Sequence, residues 1–239
     1  MRTVKQALDQ DVVHLWWVLL ESFAGRQREL YKLLDDGEKL RAARFFQPAD
    51  ASAFIVRRGV LRLLLAGYLD LPPQVVTYNY NPQGKPELFP GENLQFNLAK
   101  TGGMALIGIT RLGMVGVDLE KRRTDLEFDQ IARAQFSLAE NALMESLPAH
   151  ERAEAFFTIW TLKEAYLKAV GLGMSQPTQS FSVIWQQEGF EASLEGKTAA
   201  GDWHLWRLEA PEGYSAALAL DGIRRRTQSF QANLSLISE

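Results

Sequence analysis

Hydrophobic positions along this 239-residue chain change period several times, and the changes predict its elements. Residues 12–20, VVHLWWVLL, are apolar and rich in β-branched and aromatic side chains, which predicts a strand. Residues 26–46 read as mostly helical, with Asp35-Asp36-Gly37 as an interruption. Over 50–68 the apolar residues Phe54, Leu61, Leu64 and Leu65 recur at helical spacing, Asp50 is the predicted N-cap, and Pro72-Pro73 stops the helix. A strand is predicted over 75–80, a turn at Asn81-Pro82-Gln83-Gly84, and two strands over 94–98 and 104–110 around Lys100-Thr101-Gly102-Gly103.

A second series then begins. Residues 114–120 alternate as a strand, 127–133 are helical, and Ser137-Leu138-Ala139-Glu140 is a capping box that opens another helix. Residues 152–170 form a long helix with Gly171 as its expected C-cap, and strands follow over 180–186, 203–208 and 214–220. Each series runs strand, helices with one long helix, then strands. The pattern predicts an α+β fold of two similar halves related by a pseudo-twofold, each a small, mainly antiparallel sheet packed against a long helix. The halves would be residues 1–111 and 112–220, joined near Arg111-Leu112-Gly113. No close internal sequence repeat accompanies them, and residues 221–239 read as a polar tail with little packing.

Composition narrows the classes. Apolar content of 46% and charged content of 23% suit a globular domain with real cores. The absence of Cys excludes disulfides, thiolate metal sites and a Cys nucleophile, and fits a reducing compartment. Three His, one of them His14 in an apolar strand, argue against a His-rich zinc site. The net charge of −3 gives no global basic field for nucleic acid. No apolar run is long enough to span a membrane, and the N-terminus lacks a signal-peptide pattern, so a cytoplasmic protein is expected; it is also expected to be a monomer. Locally, residues 39–62 hold Lys39, Arg41, Arg44, Arg57, Arg58 and Arg62 against Asp50 alone.

Two segments carry candidate chemistry. In Gly116-Val117-Asp118-Leu119-Glu120, period-two alternation puts Asp118 and Glu120 on one face, with Val115, Val117 and Leu119 on the other. In Trp160-Thr161-Leu162-Lys163-Glu164-Ala165-Tyr166-Leu167-Lys168, Glu164 and Lys168 are helical neighbours. Separately, these read equally well as a solvated strand edge and a surface ion pair. Together they offer three carboxylates and an ammonium. Two carboxylates two residues apart in a core-like strand repel unless a cation lies between them. The set suits a divalent metal with a phosphate-bearing substrate beside it.

These segments resemble the signature pair of the 4′-phosphopantetheinyl transferases, and the length and two-half layout resemble the larger, surfactin-synthetase-activating (Sfp-type) group. Gly84-Lys85-Pro86 is similar to that family's Gly-Lys-Pro turn. Phe96-Asn97-Leu98-Ala99-Lys100-Thr101 stands where the family has Phe-Asn-x-Ser-His-Ser, and Gly171-Leu172-Gly173 with Ser180-Phe181-Ser182 resembles the segment after the signature helix. The resemblance spans roughly residues 38–220.

The resemblance implies a Mg²⁺-dependent enzyme that moves the 4′-phosphopantetheine arm of coenzyme A onto a serine of an acyl or peptidyl carrier protein and releases adenosine 3′,5′-bisphosphate. It implies Asp118, Glu120 and Glu164 as metal ligands, with Glu120, Glu164 and Lys168 catalytic. Either Glu120 or a metal-bound water would take the serine proton. Coenzyme A would be held by Lys39, Arg41, Arg44, Arg58, Lys85, Pro86, Ala99, Lys100 and Lys168. Ala99-Lys100 departs from the family's Ser-His; it loses a hydroxyl and an imidazole and supplies an ammonium instead. The alternative is a non-catalytic relative that binds coenzyme A or a carrier protein. An ATP-dependent phosphotransferase is disfavoured, because neither a P-loop nor a kinase-type Gly-rich loop is present. Carrier docking would fall within 128–147, where Arg133 accompanies an apolar stripe of Ile131, Phe136, Leu143 and Met144, although such a stripe more often reads as core.

Overall fold

The computed structural model describes residues 6–89, 93–111, 113–185, 189–222 and 226–236. In chain order the strands are β1 (Val12–Leu19), β2 (Thr77–Tyr80), β3 (Pro86–Phe89), β4 (Gln95–Thr101), β5 (Met104–Thr110), β6 (Val115–Lys121), β7 (Phe181–Trp185), β8 (Glu191–Gly196), β9 (Trp203–Leu208), β10 (Tyr214–Asp221) and β11 (Arg226–Gln231). The α-helices are α1 (Gln27–Leu33), α2 (Asp36–Ala43), α3 (Pro48–Leu69), α4 (Phe128–Gln135), α5 (Leu138–Ser146) and α6 (Ala149–Val170). The strands form a four-stranded sheet in the order β11-β1-β5-β4, a five-stranded sheet in the order β6-β10-β9-β8-β7, and the hairpin β2-β3. Among the described residues, all pairings are antiparallel except β1 with β11.

Among the described residues, three cores hold the fold together. One packs α3 and its neighbours against the first sheet, including Phe54, Leu61, Leu64 and Ile107. A second packs α6 against the second sheet, through Phe156, Ile159, Leu162 and Tyr166. The third lies between the sheets: Val13, Leu15 and Trp17 of β1 meet Val115, Val117 and Leu119 of β6 and Ala216, Leu218 and Leu220 of β10. The apolar face predicted for β6 is therefore the face buried between the sheets, which leaves Asp118 and Glu120 on the side of α6.

Edge strands β4 and β6 are stitched by side chains. Asn97 Oδ1 accepts from Val117 N at 3.0 Å, and Thr101 Oγ1 donates to Glu120 Oε2 at 3.3 Å. Strand β6 and helix α6 approach so closely that a Cβ on Gly116 would lie 2.0 Å from Ala165 O. Only a residue without a side chain lets the carboxylate strand meet the Glu164–Lys168 helix at this distance.

Several boundaries differ from the pattern reading. Helix α3 starts at Pro48 with Gln47 as N-cap, so Asp50 lies in its first turn, where a carboxylate still favours the dipole. Strands β3 and β8 are short and largely exposed, and their alternation is too weak to read. The stretch 221–239 is not a loosely packed tail over its described part. Residues 226–231 complete the first sheet as β11, where Phe230 stacks on Trp16 at 4.6 Å, and Ala232 and Leu236 are buried. An edge strand with one packed residue leaves no periodic signal.

Candidate active site

Helix α6 supplies three side chains to two separate tasks. Its C-terminal end is closed by Gly171 at φ 76°, as the sequence predicts, with Gly171 N bonded to Leu167 O. One face carries Glu164 and Lys168, which line a cavity of about 620 Å³ with Leu167, Lys85, Pro86 and Asn97. Another part of the helix is locked inward by Lys163. That ammonium is 2% exposed and donates to both oxygens of Glu140 at 2.8 Å and to Phe181 O at 2.7 Å. Glu140 also accepts from Ser137 N in the observed capping box and from Val183 N. Lys163 therefore ties α5, α6 and β7 together, a role its place in the motif does not reveal.

Opposite α6, strand β6 presents Asp118 and Glu120. Lys168 Nζ donates to Asp118 Oδ1 at 2.5 Å. Asp118 is buried, and its Oδ2 has no hydrogen-bond partner. Burial holds the Asp118 carboxyl above its ordinary range, against the pull of Lys168. Glu120 is likewise raised, by burial first and then by the charge of Asp118, with Glu164 adding to it. Glu164 is raised by burial and then by Asp118, with Lys168 opposing. The three carboxyls thus feel one another, and the Lys168 ammonium faces all three.

These residues fit a hard divalent cation by donor chemistry: oxygen ligands, excess negative charge, and a buried carboxylate oxygen without a partner. They are not gathered into a finished coordination set. Among the described residues, no group of three or more His, Cys, Asp or Glu side chains is placed to hold a metal ion. Lys168 holds one Asp118 oxygen and Thr101 one Glu120 oxygen.

A second cavity of about 360 Å³ adjoins the first and shares Pro86, Asn97 and Leu98 with it. Its walls carry Arg41, Arg57, Arg58 and Lys100. The guanidinium carbons of the three arginines lie 5.5, 6.0 and 5.9 Å from the centre of the Phe54 ring. Burial, then the like charges of Arg58 and Arg41, bring Arg57 down to about 10. A crowd of cations that weaken one another favours an anion. Beneath them, buried Glu38 takes Arg62 Nε at 2.6 Å and stands 3.5 Å from Arg58 Nε, so fully buried Arg62 and Glu38 brace Arg58 from below.

The expected binding residues divide accordingly. Arg41, Arg58, Lys85, Pro86, Lys100 and Lys168 line the two adjoining cavities. Lys39 and Arg44 do not; Lys39 pairs with Asp36 at 3.5 Å and Arg44 is exposed. Ala99 turns the other way into the core between the sheets, because side chains alternate along β4. Arg57 joins the site although the pattern reading gave it no role; its signal is its place in the basic run, three residues beyond Phe54. Lys85 Nζ donates to Ala169 O at 2.6 Å, and burial brings it down to about 8, with Glu87 opposing. The apolar stripe of 128–147 is occupied: Phe136 and Met144 are buried in the α6 core, and Ile131 and Leu143 pack against it. Leu138, at the start of α5, is exposed.

Comparison with known proteins agrees with the motifs. The sequence model of the 4′-phosphopantetheinyl transferase superfamily matches residues 114–219. The chain is 34% identical over 215 residues to the 4′-phosphopantetheinyl transferase HetI of Nostoc, covering 89% of each chain. It is 26% identical over 182 residues to the 4′-phosphopantetheinyl transferase Sfp of Bacillus subtilis, covering 76% of this chain and 78% of that one. Among solved structures it is similar to a holo-(acyl-carrier-protein) synthase from Bacillus anthracis in complex with CoA (3′,5′-ADP), at 21% identity and a TM-score of 0.39, over 46% of this chain and 96% of that chain.

Proposed function

The chain belongs to the 4′-phosphopantetheinyl transferase superfamily, and on that premise we propose that it transfers the 4′-phosphopantetheine group of coenzyme A to a serine of an acyl or peptidyl carrier protein. One observation carries the reading. The arginine-walled cavity and the cavity lined by Glu164 and Lys168 lie side by side and share Pro86, Asn97 and Leu98 in their walls. A ligand with phosphate at one end and a pyrophosphate in the middle spans such a groove.

Arg41, Arg57, Arg58 and Lys100 hold the 3′-phosphate end. Lys85 and Lys168 face the pyrophosphate. The serine oxygen bonds to the phosphorus that bears pantetheine, the bond from that phosphorus to the bridging oxygen breaks, and adenosine 3′,5′-bisphosphate leaves. Lys168 meets the negative charge of the group in transfer. Glu120, on β6 beside Asp118 and within the field of Lys168, accepts the serine proton. Asp118, Glu120 and Glu164 would hold Mg²⁺, which supplies positive charge to the phosphate oxygens when bound. Both walls of the groove come from one chain, which supports a monomeric enzyme. The cysteine-free sequence supports the reducing cytoplasm. Nucleic acid is no partner in this reading.

The test is incubation with coenzyme A, Mg²⁺ and a panel of apo-carrier proteins. A carrier that gains one phosphopantetheine by mass, with equal release of adenosine 3′,5′-bisphosphate, supports the reading. Binding of coenzyme A without release on any carrier overturns it in favour of a non-catalytic relative.

A further inference from the structure

We infer that Asn81 is a positioning residue that latches the Gly84-Lys85-Pro86 turn onto the C-terminal end of α6 and so sets the width of the coenzyme A groove. The inference rests on reading that groove as the coenzyme A site. Asn81 itself does not line the cavity.

Three side-chain bonds define the latch. Asn81 Oδ1 accepts from Gln83 N at 3.0 Å and from Lys85 N at 2.9 Å. Asn81 Nδ2 donates to Gly171 O at 2.9 Å. Two N–H groups on one side and a carbonyl on the other fix which end of the amide is oxygen. The backbone closes the same turn, with Asn81 N on Lys85 O at 3.0 Å and Gly84 N on Asn81 O at 2.9 Å. One amide thus shapes the turn with its oxygen and ties it to α6 with its nitrogen.

Helix ends leave carbonyls without intrahelical partners, and here the turn supplies donors. Lys85 Nζ reaches Ala169 O and Asn81 Nδ2 reaches Gly171 O, one on each side of Val170. A cation at this end also complements the helix dipole. The approach is tight: a Cβ on Gly171 would lie 2.9 Å from Asn81 Nδ2 and 3.1 Å from Lys85 Cδ. The turn gives the cavity Gln83, Gly84, Lys85 and Pro86, and the helix gives it Glu164, Leu167, Lys168 and Gly171. Those are two walls of one groove, contributed by segments far apart in sequence. Asn81 is the side-chain amide that joins them from outside.

Asn81→Ala and Asn81→Asp separate the two tasks. Aspartate keeps the acceptor that closes the turn and loses the donor to Gly171 O. Each variant is followed by steady-state transfer to a carrier protein, with coenzyme A and carrier varied separately, and by thermal melting. Both variants should raise the coenzyme A KM by about tenfold, the factor a net hydrogen bond commands, with kcat and the carrier KM within about threefold of the parent. A parental coenzyme A KM in Asn81→Asp, beside a raised one in Asn81→Ala, would show that only the turn matters and would overturn the latch. So would a lower melting temperature with an unchanged coenzyme A KM in both. Should Asn81→Ala fail to fold, Asn81→Asp alone decides by its coenzyme A KM. If the parent protein transfers nothing, it is the reading of the groove that fails, and the variants are not the cause.

Discussion

Lys168 Nζ lies 2.5 Å from one oxygen of Asp118, and the other oxygen of that carboxylate is buried without a partner. One ammonium thus answers one side of a group that stands near two further carboxyls. Raised carboxyl pKa values mean that the folded protein binds protons the unfolded chain does not. Stability therefore falls as pH climbs from the ordinary carboxyl value of about 4 through the raised values, and the penalty is complete above them. A divalent cation removes the same penalty. Mg²⁺ should raise the melting temperature near neutral pH by about 5 °C, less toward about pH 5, and not at all in Asp118→Asn. Transfer should also be lost in that variant. A melting temperature indifferent to Mg²⁺ in the parent would remove the metal from the reading.

Lys85 gives a separate pH signature. Its amine, brought down to about 8 by burial, loses its charge well below the ordinary lysine value of about 10.4. Phosphate binding pulls that value back up. Coenzyme A affinity should be flat below about pH 8 and weaken by up to tenfold per unit above it. Lys85→Arg should remove the slope, since a guanidinium remains protonated throughout. Calorimetric titration across this range is the measurement, and a slope that persists in Lys85→Arg would assign it elsewhere.

The arginine cavity can be tested with a shortened ligand. Arg57→Ala and Arg58→Ala should each weaken coenzyme A by about 1.5–3 kcal/mol, the range for one hydrogen bond to a charged group. Neither should change affinity for dephospho-coenzyme A, which lacks the 3′-phosphate. Lys39→Ala and Arg44→Ala, outside both cavities, should leave both ligands unaffected. Equal losses for the two ligands would place the 3′-phosphate somewhere other than this cavity.

Lys163 should prove a matter of stability. Removing it leaves Glu140 charged and buried, which costs about 3–5 kcal/mol. Lys163→Ala should lower the urea midpoint accordingly with the slope unchanged. A loss under about 1 kcal/mol would mean that water reaches Glu140 in the variant.

Much of this was legible in the residues, for reasons that differ by element. The Ser137–Glu140 capping box and the Gly171 cap are local, so their chemistry shows in a few neighbouring letters. The face carrying Asp118 and Glu120 followed from alternation alone, because the opposite face is continuously apolar. Pairing across the chain left no such trace. Nothing near Asn81 announces Gly171, and nothing near Glu140 announces Lys163. Lys39 and Arg44 share the composition of Arg41, Arg57 and Arg58, and only the wrap of α2 on α3 decides which of them meet the cavity. Ala99 was assigned with Lys100 by motif, although adjacent strand residues point to opposite faces.

The parallel pairing of β11 with β1 has a consequence for how the protein is made. Strand β1 is translated before its neighbour β11, and every other strand of both sheets lies between them in the chain. Until then one side of VVHLWWVL has no strand beside it. The earlier half therefore waits, one edge open, for the later half to be translated, and a chain halted after Asp221 would display that apolar edge to every other nascent chain in reach.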